Sequence, residues 1–243
     1  MLSQAEKGGV QNTIQNCVTV LQNDPILADS IRLNLLSERI DIVKPMGWQR
    51  SGPTLTDTDM MYILRRMEKY GLYSEKRVSA AIRIVANENH YHPIRDYLND
   101  LKWDGAERIS HALHRFLGAA EDELTAEALK IFLLGAIKRV FHPGCKFEMM
   151  LCLVGGQGAG KSSFFRLLAI KDEWFSDDLR RLDDDNVFRK LQGHWIMEMS
   201  EMIATANAKS IEEIKSFLSK QKETYKIPYE THPADRLRQC VFA

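Results

Sequence analysis

Apolar positions recur at helical spacing through the first part of the chain and then change period. Between Thr13 and Leu36, the residues Ile14, Val18, Val20, Leu21, Ile26, Leu27, Ile31 and Leu35 fall near helical spacing. Asn23-Asp24-Pro25 breaks the pattern, which predicts two short helices. Arg39 to Val43 predicts a short strand, and Lys44-Pro45-Met46-Gly47 and Ser51-Gly52-Pro53 interrupt the chain again. The run Thr56-Asp57-Thr58-Asp59 offers an N-cap to a helix through Met60, Ile63, Leu64 and Met67, and Gly71 ends it. Ser74 to Ala86, Ile94 to Leu101, Arg108 to Leu117 and Thr125 to Phe141 continue in helical period. Trp103-Asp104-Gly105 reads as a turn whose tryptophan plugs the core, in preference to a functional site. Residues 1–144 therefore predict a mainly helical N-terminal region.

After Pro143-Gly144 the pattern becomes a continuous apolar run, Phe147 and Met149 to Val154, ending in glycines. A buried parallel strand reads this way. Helices near Ser162 to Ala169, Asn186 to Leu191 and Ile211 to Leu218 alternate with strands near Trp174-Phe175, Trp195 to Ser200 and Arg238 to Phe242. Such alternation predicts a three-layer α/β domain over residues 145–243.

Gly155-Gly156-Gln157-Gly158-Ala159-Gly160-Lys161-Ser162 stands between the apolar run and a helix and matches GxxxxGK[ST], the phosphate-binding loop. At ordinary glycine usage a chance match in a chain of this length is about one in a hundred. Side chains would keep backbone N–H groups from closing on phosphate oxygens, so Gly155, Gly158 and Gly160 hold the loop open, and the helix N-terminus adds partial positive charge. Lys161 is placed to reach the β and γ phosphates of ATP, and the Ser162 hydroxyl to ligate Mg²⁺. Ser163 neighbours the site without an assigned role.

A phosphate-bound Mg²⁺ also calls for an acid at a neighbouring strand end. Glu198 and Glu201 in Trp195-Ile196-Met197-Glu198-Met199-Ser200-Glu201 are the candidates. Glu201 is favoured for metal and water chemistry, because Glu198 falls mid-strand, where an uncompensated carboxylate is costly. Glu198 either serves the site or pairs with a buried cation.

Composition narrows the function classes. The 243 residues, 44% apolar and 27% charged, suffice for two packed units, and 33 Lys plus Arg balance 33 Asp plus Glu. That balance excludes a binder that holds polyanions by bulk charge. The four cysteines form no CxxC pair, which points to a reducing compartment, and no stretch reaches the length of a membrane span, so a cytoplasmic protein is expected. Seven histidines, including His90 with His92 and His111 with His114, complete no familiar zinc set. Asp183-Asp184-Asp185 reads as a helix N-terminal cap. From Lys215 to the end, six basic residues face three acidic ones. Tyr225, Lys226 and Arg236 lie there in an extended excursion that is either a solvated loop or a single-strand-binding surface.

The residues HPIRDYLNDLKWDGAERI (92–109), HPGCKFEMMLCLVGGQGAGKSSFFRLLA (142–169), EWFSDDL (173–179), LQGHWIMEMSE (191–201), FLSKQKETYKIPY (217–229) and RQCVFA (238–243) resemble the virulence-associated protein E family of phage, plasmid and mobile-island proteins, relatives of viral primase-helicases. The resemblance implies an α/β P-loop ATPase core of the additional-strand type, an AAA+-like three-layer sheet, preceded by the mainly helical region. It implies ATP and Mg²⁺ as ligands, a homo-oligomeric ring, and DNA helicase activity in element replication beside a primase. It places the second acidic motif at Glu198 and Glu201, and it likens the excursion at Tyr225, Lys226 and Arg236 to a pore hairpin that grips single-stranded DNA.

The family pattern continues past the last strand into a sensor asparagine, further helices and an arginine finger, whereas this chain ends at Val241-Phe242-Ala243. The ATPase core is therefore expected to be incomplete at its C-terminus, with nucleotide binding but little turnover from this chain alone. A non-catalytic nucleotide-binding or interaction protein that regulates element replication is the alternative.

Overall fold

The computed structural model describes residues 2–4, 9–179, 187–200, 208–225 and 234–243. The chain divides into two compact units, Met1–Asp96 and Tyr97–Ala243. The change of period at residue 144 thus lies inside the second unit, and the helical stretch 97–141 folds with the glycine loop rather than with the N-terminal residues.

In the first unit, α1 (Ile14–Asn23) opens at Thr13, whose side chain accepts from the Asn16 N–H. Cys17, Val18, Val20 and Leu21 form its buried face. They join one apolar core with Val78, Ala81, Ile82 and Val85, which recur at i, i+3, i+4 and i+7 along an α-helix, Glu75–Glu88.

The second helix expected before Leu36 is a strand. The carboxylate of Asp24 accepts from Ile26 N at 2.9 Å and Leu27 N at 3.1 Å, which turns the chain out of helix. β1 (Ile31–Asn34) then pairs antiparallel with β2 (Arg39–Ile42), setting Ile31 opposite Ile42 and Leu33 opposite Ile40. Ile31 with Leu35 suits helical spacing, whereas Ile31 with Leu33 suits a period of two, and the Asn34 side chain decides between them. Its Oδ1 accepts from the N–H groups of Leu36 and Ser37 and closes the hairpin. The first unit is therefore helical with a β-hairpin built in.

α2 (Asp57–Met67) carries the reciprocal cap that the sequence offers: Thr56 accepts from Asp59 N, and the Asp59 carboxylate accepts from Thr56 N. Asp59 also takes bonds from Trp48 Nε1 at 2.7 Å and Arg50 Nε at 2.8 Å. Gly71, at φ 76°, ends the short 3₁₀ turn that follows α2. The helix Glu75–Glu88 is α3, and α4 (Pro93–Asp100) follows it.

Trp103 is 82% exposed and plugs no core. The turn itself forms, with Gly105 at φ 81° and Asp104 bonded to Ala106 N and Arg108. The indole donates to the Ala106 carbonyl at the turn's own edge.

In the second unit, α5 (Ile109–Leu117) packs along α6 (Glu123–Phe141), which Asp122 caps by accepting from Thr125 N at 2.8 Å. α7 (Lys161–Leu168) follows the glycine loop, and β3 (Phe175–Ser176), α8 (Val187–Leu191), β4 (Ile196–Met197), α9 (Ala208–Ser219), β5 (Lys222–Tyr225), β6 (Ala234–Leu237) and β7 (Val241–Phe242) complete the order. A three-stranded parallel sheet runs β3-β4-β7.

The apolar run before the loop meets that sheet through one parallel bridge, Met150 to Phe242, and not as the full buried strand expected. Leu151 is buried, but Met149 is 52% and Val154 99% exposed. The neighbouring strand β7 is two residues long, so among the described residues nothing extends a ladder along 151–154.

α6 fastens the sheet from behind. Trp195 donates its indole N–H to the Ala136 carbonyl at 3.0 Å, just before β4. Gly135 lets the Phe147 ring lie close against α6, because a Cβ there would stand 2.2 Å from the ring and force it to move. Leu179, Met197, Met199, Ile214, Phe217, Cys240 and Phe242 form a core of this unit. Among the described residues no helix is long and apolar enough to cross a membrane.

Candidate functional site

The glycine loop turns into α7 through two residues in the left-handed region, Gly158 at φ 79° and Gly160 at φ 81°. Gly160 is the N-cap residue of α7 and leaves the cap position without a side chain. L-residues adopt this backbone at a cost of 1–2 kcal/mol each, so these two glycines are set by conformation. Neither Gly155 nor Gly156 has positive φ, and a Cβ at either would meet nothing closer than the Lys161 side chain at 4.0 Å. Freedom from side chains, not φ, is what they add.

Lys161 folds back over the loop, its Nζ donating to the carbonyls of Gly155 and Gly156 at 2.8 Å each. Ser162, in the first turn of α7, donates its hydroxyl to Glu198 Oε1 at 2.6 Å. The Ser200 hydroxyl donates to the same oxygen at 3.0 Å. Glu198 is 8% exposed, and its Oε2 is buried with no hydrogen-bond partner among the described residues. Ser163 is exposed on α7.

Glu198 sits past the end of β4 and not mid-strand. Its N–H donates to the Ser176 carbonyl on one side, and Met199 N donates to the Ala243 carbonyl on the other. The residue is thereby pinned at the carboxyl ends of three parallel strands, where open α/β sheets take ligands. Its partners among the described residues are two hydroxyls, not the cation considered from sequence. The N-terminal dipole of α7 supplies the favourable field that a buried carboxylate needs. Glu201, favoured from sequence for the metal, lies outside the described residues, as do Lys226 and the acidic run Asp183 to Asp185.

The excursion near the C-terminus forms an antiparallel hairpin of β5 and β6, with Tyr225 opposite Ala234 and Glu223 opposite Arg236. Desolvation pushes the Arg236 guanidinium below its ordinary value. Asp235 accepts from both Lys222 and Thr224 across the strands, and they hold its carboxyl below the usual range.

The sequence counts Arg238 among the basic residues of the C-terminal stretch but not its burial, and Arg139 escaped the reading altogether. Arg238 is buried, pairs with Glu223, donates to the Phe217 carbonyl and lies 4.6 Å over the Phe217 ring. Arg139, fully buried, donates Nη1 to the Cys240 carbonyl at 2.8 Å and Nη2 to the Phe147 carbonyl at 2.7 Å. It ties the lead-in of the glycine loop to the lead-in of β7. The available signal was an arginine at helical spacing from Leu129, Phe132 and Ala136 on the buried face of α6, where such a residue has to find buried carbonyls.

A parallel α/β unit thus presents a glycine loop and helix N-terminus against a carboxylate at the strand ends. Residues 98–243 match the family model of the virulence-associated protein E-like domain, and the chain belongs to that family. A comparison with curated proteins finds no match.

Proposed function

We propose that this chain is the P-loop nucleotide-binding core of an ATP-dependent DNA helicase serving replication of a mobile genetic element. The observation that carries the reading is the 2.6 Å bond between Ser162, the hydroxyl residue of the loop motif, and Glu198 at the end of a neighbouring strand. A glycine loop that merely turned the chain would have no need of a buried carboxylate facing its hydroxyl. The strand order supports the additional-strand class: β7 lies between Met150, which leads into the loop, and β4, which leads to the acid.

A divalent cation fits this pairing, because the buried and unpartnered Glu198 Oε2 beside the Ser162 hydroxyl is the kind of oxygen that an ion or its water shell satisfies. Bound Mg²⁺ would neutralise charge developing on the phosphates. The loop N–H groups and the start of α7 hold the phosphate oxygens, and Lys161 exchanges the carbonyls of Gly155 and Gly156 for the β and γ phosphates. Ser162 would keep its proton on Glu198 while its oxygen lone pair served the cation, and Glu201 would orient the attacking water. Tyr225, Lys226 and Arg236 grip single-stranded DNA, in a homo-oligomeric ring acting beside a primase.

Calorimetric titration of Mg²⁺-ATP into the chain and into Lys161→Ala tests the reading. Binding in the parent that is lost in the variant is expected; no binding in the parent, or equal binding in both, overturns it.

A further inference from the structure

We propose that Ser200 is a positioning residue for the divalent cation, acting through Glu198; this rests on the nucleotide-site reading above. A carboxylate oxygen has about two lone-pair sites for donors. On Glu198 Oε1 both are taken, by Ser162 at 2.6 Å and Ser200 at 3.0 Å. Oε2 has no donor among the described residues and is closed off from solvent. The two hydroxyls therefore fix which oxygen faces protein and which is left over.

Ser162 alone does not achieve this. A single hydrogen bond to one oxygen leaves the carboxyl free to rotate about its terminal torsion, a broad and roughly two-fold coordinate. Rotation would bring either oxygen to Ser162, and the acid would meet the cation with its orientation averaged. A second donor two residues along the same strand end removes that freedom before the ligand arrives, which lowers the ordering cost of binding. Ser200 itself is exposed, so its hydroxyl is not needed to fill a core. It makes the orienting bond where water was available instead.

The orientation has a second consequence for Ser162. When the Ser162 oxygen turns its lone pair to a cation, its proton still needs an acceptor, and an Oε1 held in place provides one. Ser200 thus supports both halves of the cation site, the hydroxyl and the acid, without touching the metal.

The test is a Mg²⁺ titration of a fluorescent ATP analogue bound to the full chain, compared with the affinity of the same analogue in excess EDTA. Ser200→Ala is expected to raise the Mg²⁺ concentration at half-effect about fivefold, through the lost preorganisation of Glu198, with EDTA affinity unchanged. Ser200→Thr, which keeps the hydroxyl, is expected to restore the parent's half-point. A Mg²⁺ half-point in Ser200→Ala within twofold of the parent overturns the proposal, and so does a loss of affinity equal with and without metal. Failure of the underlying reading has a different signature: the parent chain then fails to bind the analogue at all, or Lys161→Ala binds it as well as the parent.

Discussion

The Ser162 hydroxyl donates to Glu198 Oε1 at 2.6 Å across 36 positions of sequence, joining the first turn of α7 to the end of β4. The bond is short and made to an ionisable acceptor, which places it among the stronger hydrogen bonds of a protein. Its two ends are fixed independently, Ser162 by the helix that Gly160 starts and Glu198 by backbone bonds through Ser176 and Ala243. Glu198→Gln keeps an oxygen for both serines and removes the charge. Binding of an ATP analogue in EDTA is expected to stay near the parent's, while the enhancement by Mg²⁺ falls at least about tenfold, as expected for losing a charged oxygen ligand. Unchanged Mg²⁺ enhancement in the variant would remove Glu198 from the cation site.

Arg139 is a fully buried cation with two carbonyl partners and, among the described residues, no carboxylate partner. Burial pushes its guanidinium pKa down. Arg139→Met fills similar volume but leaves the Phe147 and Cys240 carbonyls without donors, each worth about 1–3 kcal/mol when buried and unmet. Relief of the guanidinium's own desolvation offsets part of that loss. A net destabilisation of about 2–4 kcal/mol in urea unfolding is expected. It should be visible in the emission of Trp174 and Trp195, which lie in the same unit. A change below about 0.5 kcal/mol would mean that other contacts hold the two lead-ins together.

In the first unit, pH reports on Asp24. Burial alone would raise its pKa, but Arg66, Tyr70 and the N–H groups of Ile26 and Leu27 outweigh it and bring the carboxyl from 3.8 down to about 2. Its stabilising contribution is thus complete above pH 4 and is lost as pH falls through 2. The shift corresponds to about 2 kcal/mol. Asp59 is also held below the ordinary carboxylate range, by Arg50, Trp48 and Thr56 against its burial. Asp24→Asn should be less stable than the parent at pH 6, and the gap should narrow by about 2 kcal/mol between pH 4 and pH 2. Urea denaturation followed by Trp48 emission measures this. A gap independent of pH would show that the Asp24 bonds do not discriminate the charged form.

Much of this was legible in the sequence, and the exceptions share a cause. The Thr56 cap, the Gly71 stop, the glycine loop before α7 and the late hairpin all rest on local chemistry and formed where the pattern put them. Ile31 to Asn34 did not, because its apolar spacing suits two periods and the choice was made by Asn34 and Asp24 side chains bonding nearby backbone. The run Met149 to Val154 reads as a strand by composition, yet a strand exists only as far as a neighbour supplies its ladder. Trp103 was assigned inward by size alone. At the site, the glycine turn into α7 was readable, whereas the place of Glu198 past the end of β4 was not, because strand ends are set by partners distant in sequence. Ser200 and Arg139 carry no motif, and their roles emerge only from which oxygens they reach.

Ile170 follows the C-cap of α7 in the left-handed region, at φ 70°. A β-branched residue is a poor occupant of that conformation, and glycine is the usual one at the end of a helix. The position does close the helix, since Ile170 N donates to the Leu167 carbonyl at 3.1 Å. The side chain is 49% exposed, so little burial offsets the strain. Glycine removes a backbone penalty of about 1–2 kcal/mol but gains freedom in the unfolded chain, which returns part of it. Ile170→Gly is therefore expected to stabilise the second unit by about 0.5–1 kcal/mol in urea unfolding. Nucleotide affinity should not change, because the substitution lies at the opposite end of α7 from Gly160 and Ser162. Equal or lower stability in the variant would show that the exposed half of the isoleucine hides packing by the other half that outweighs the strained backbone.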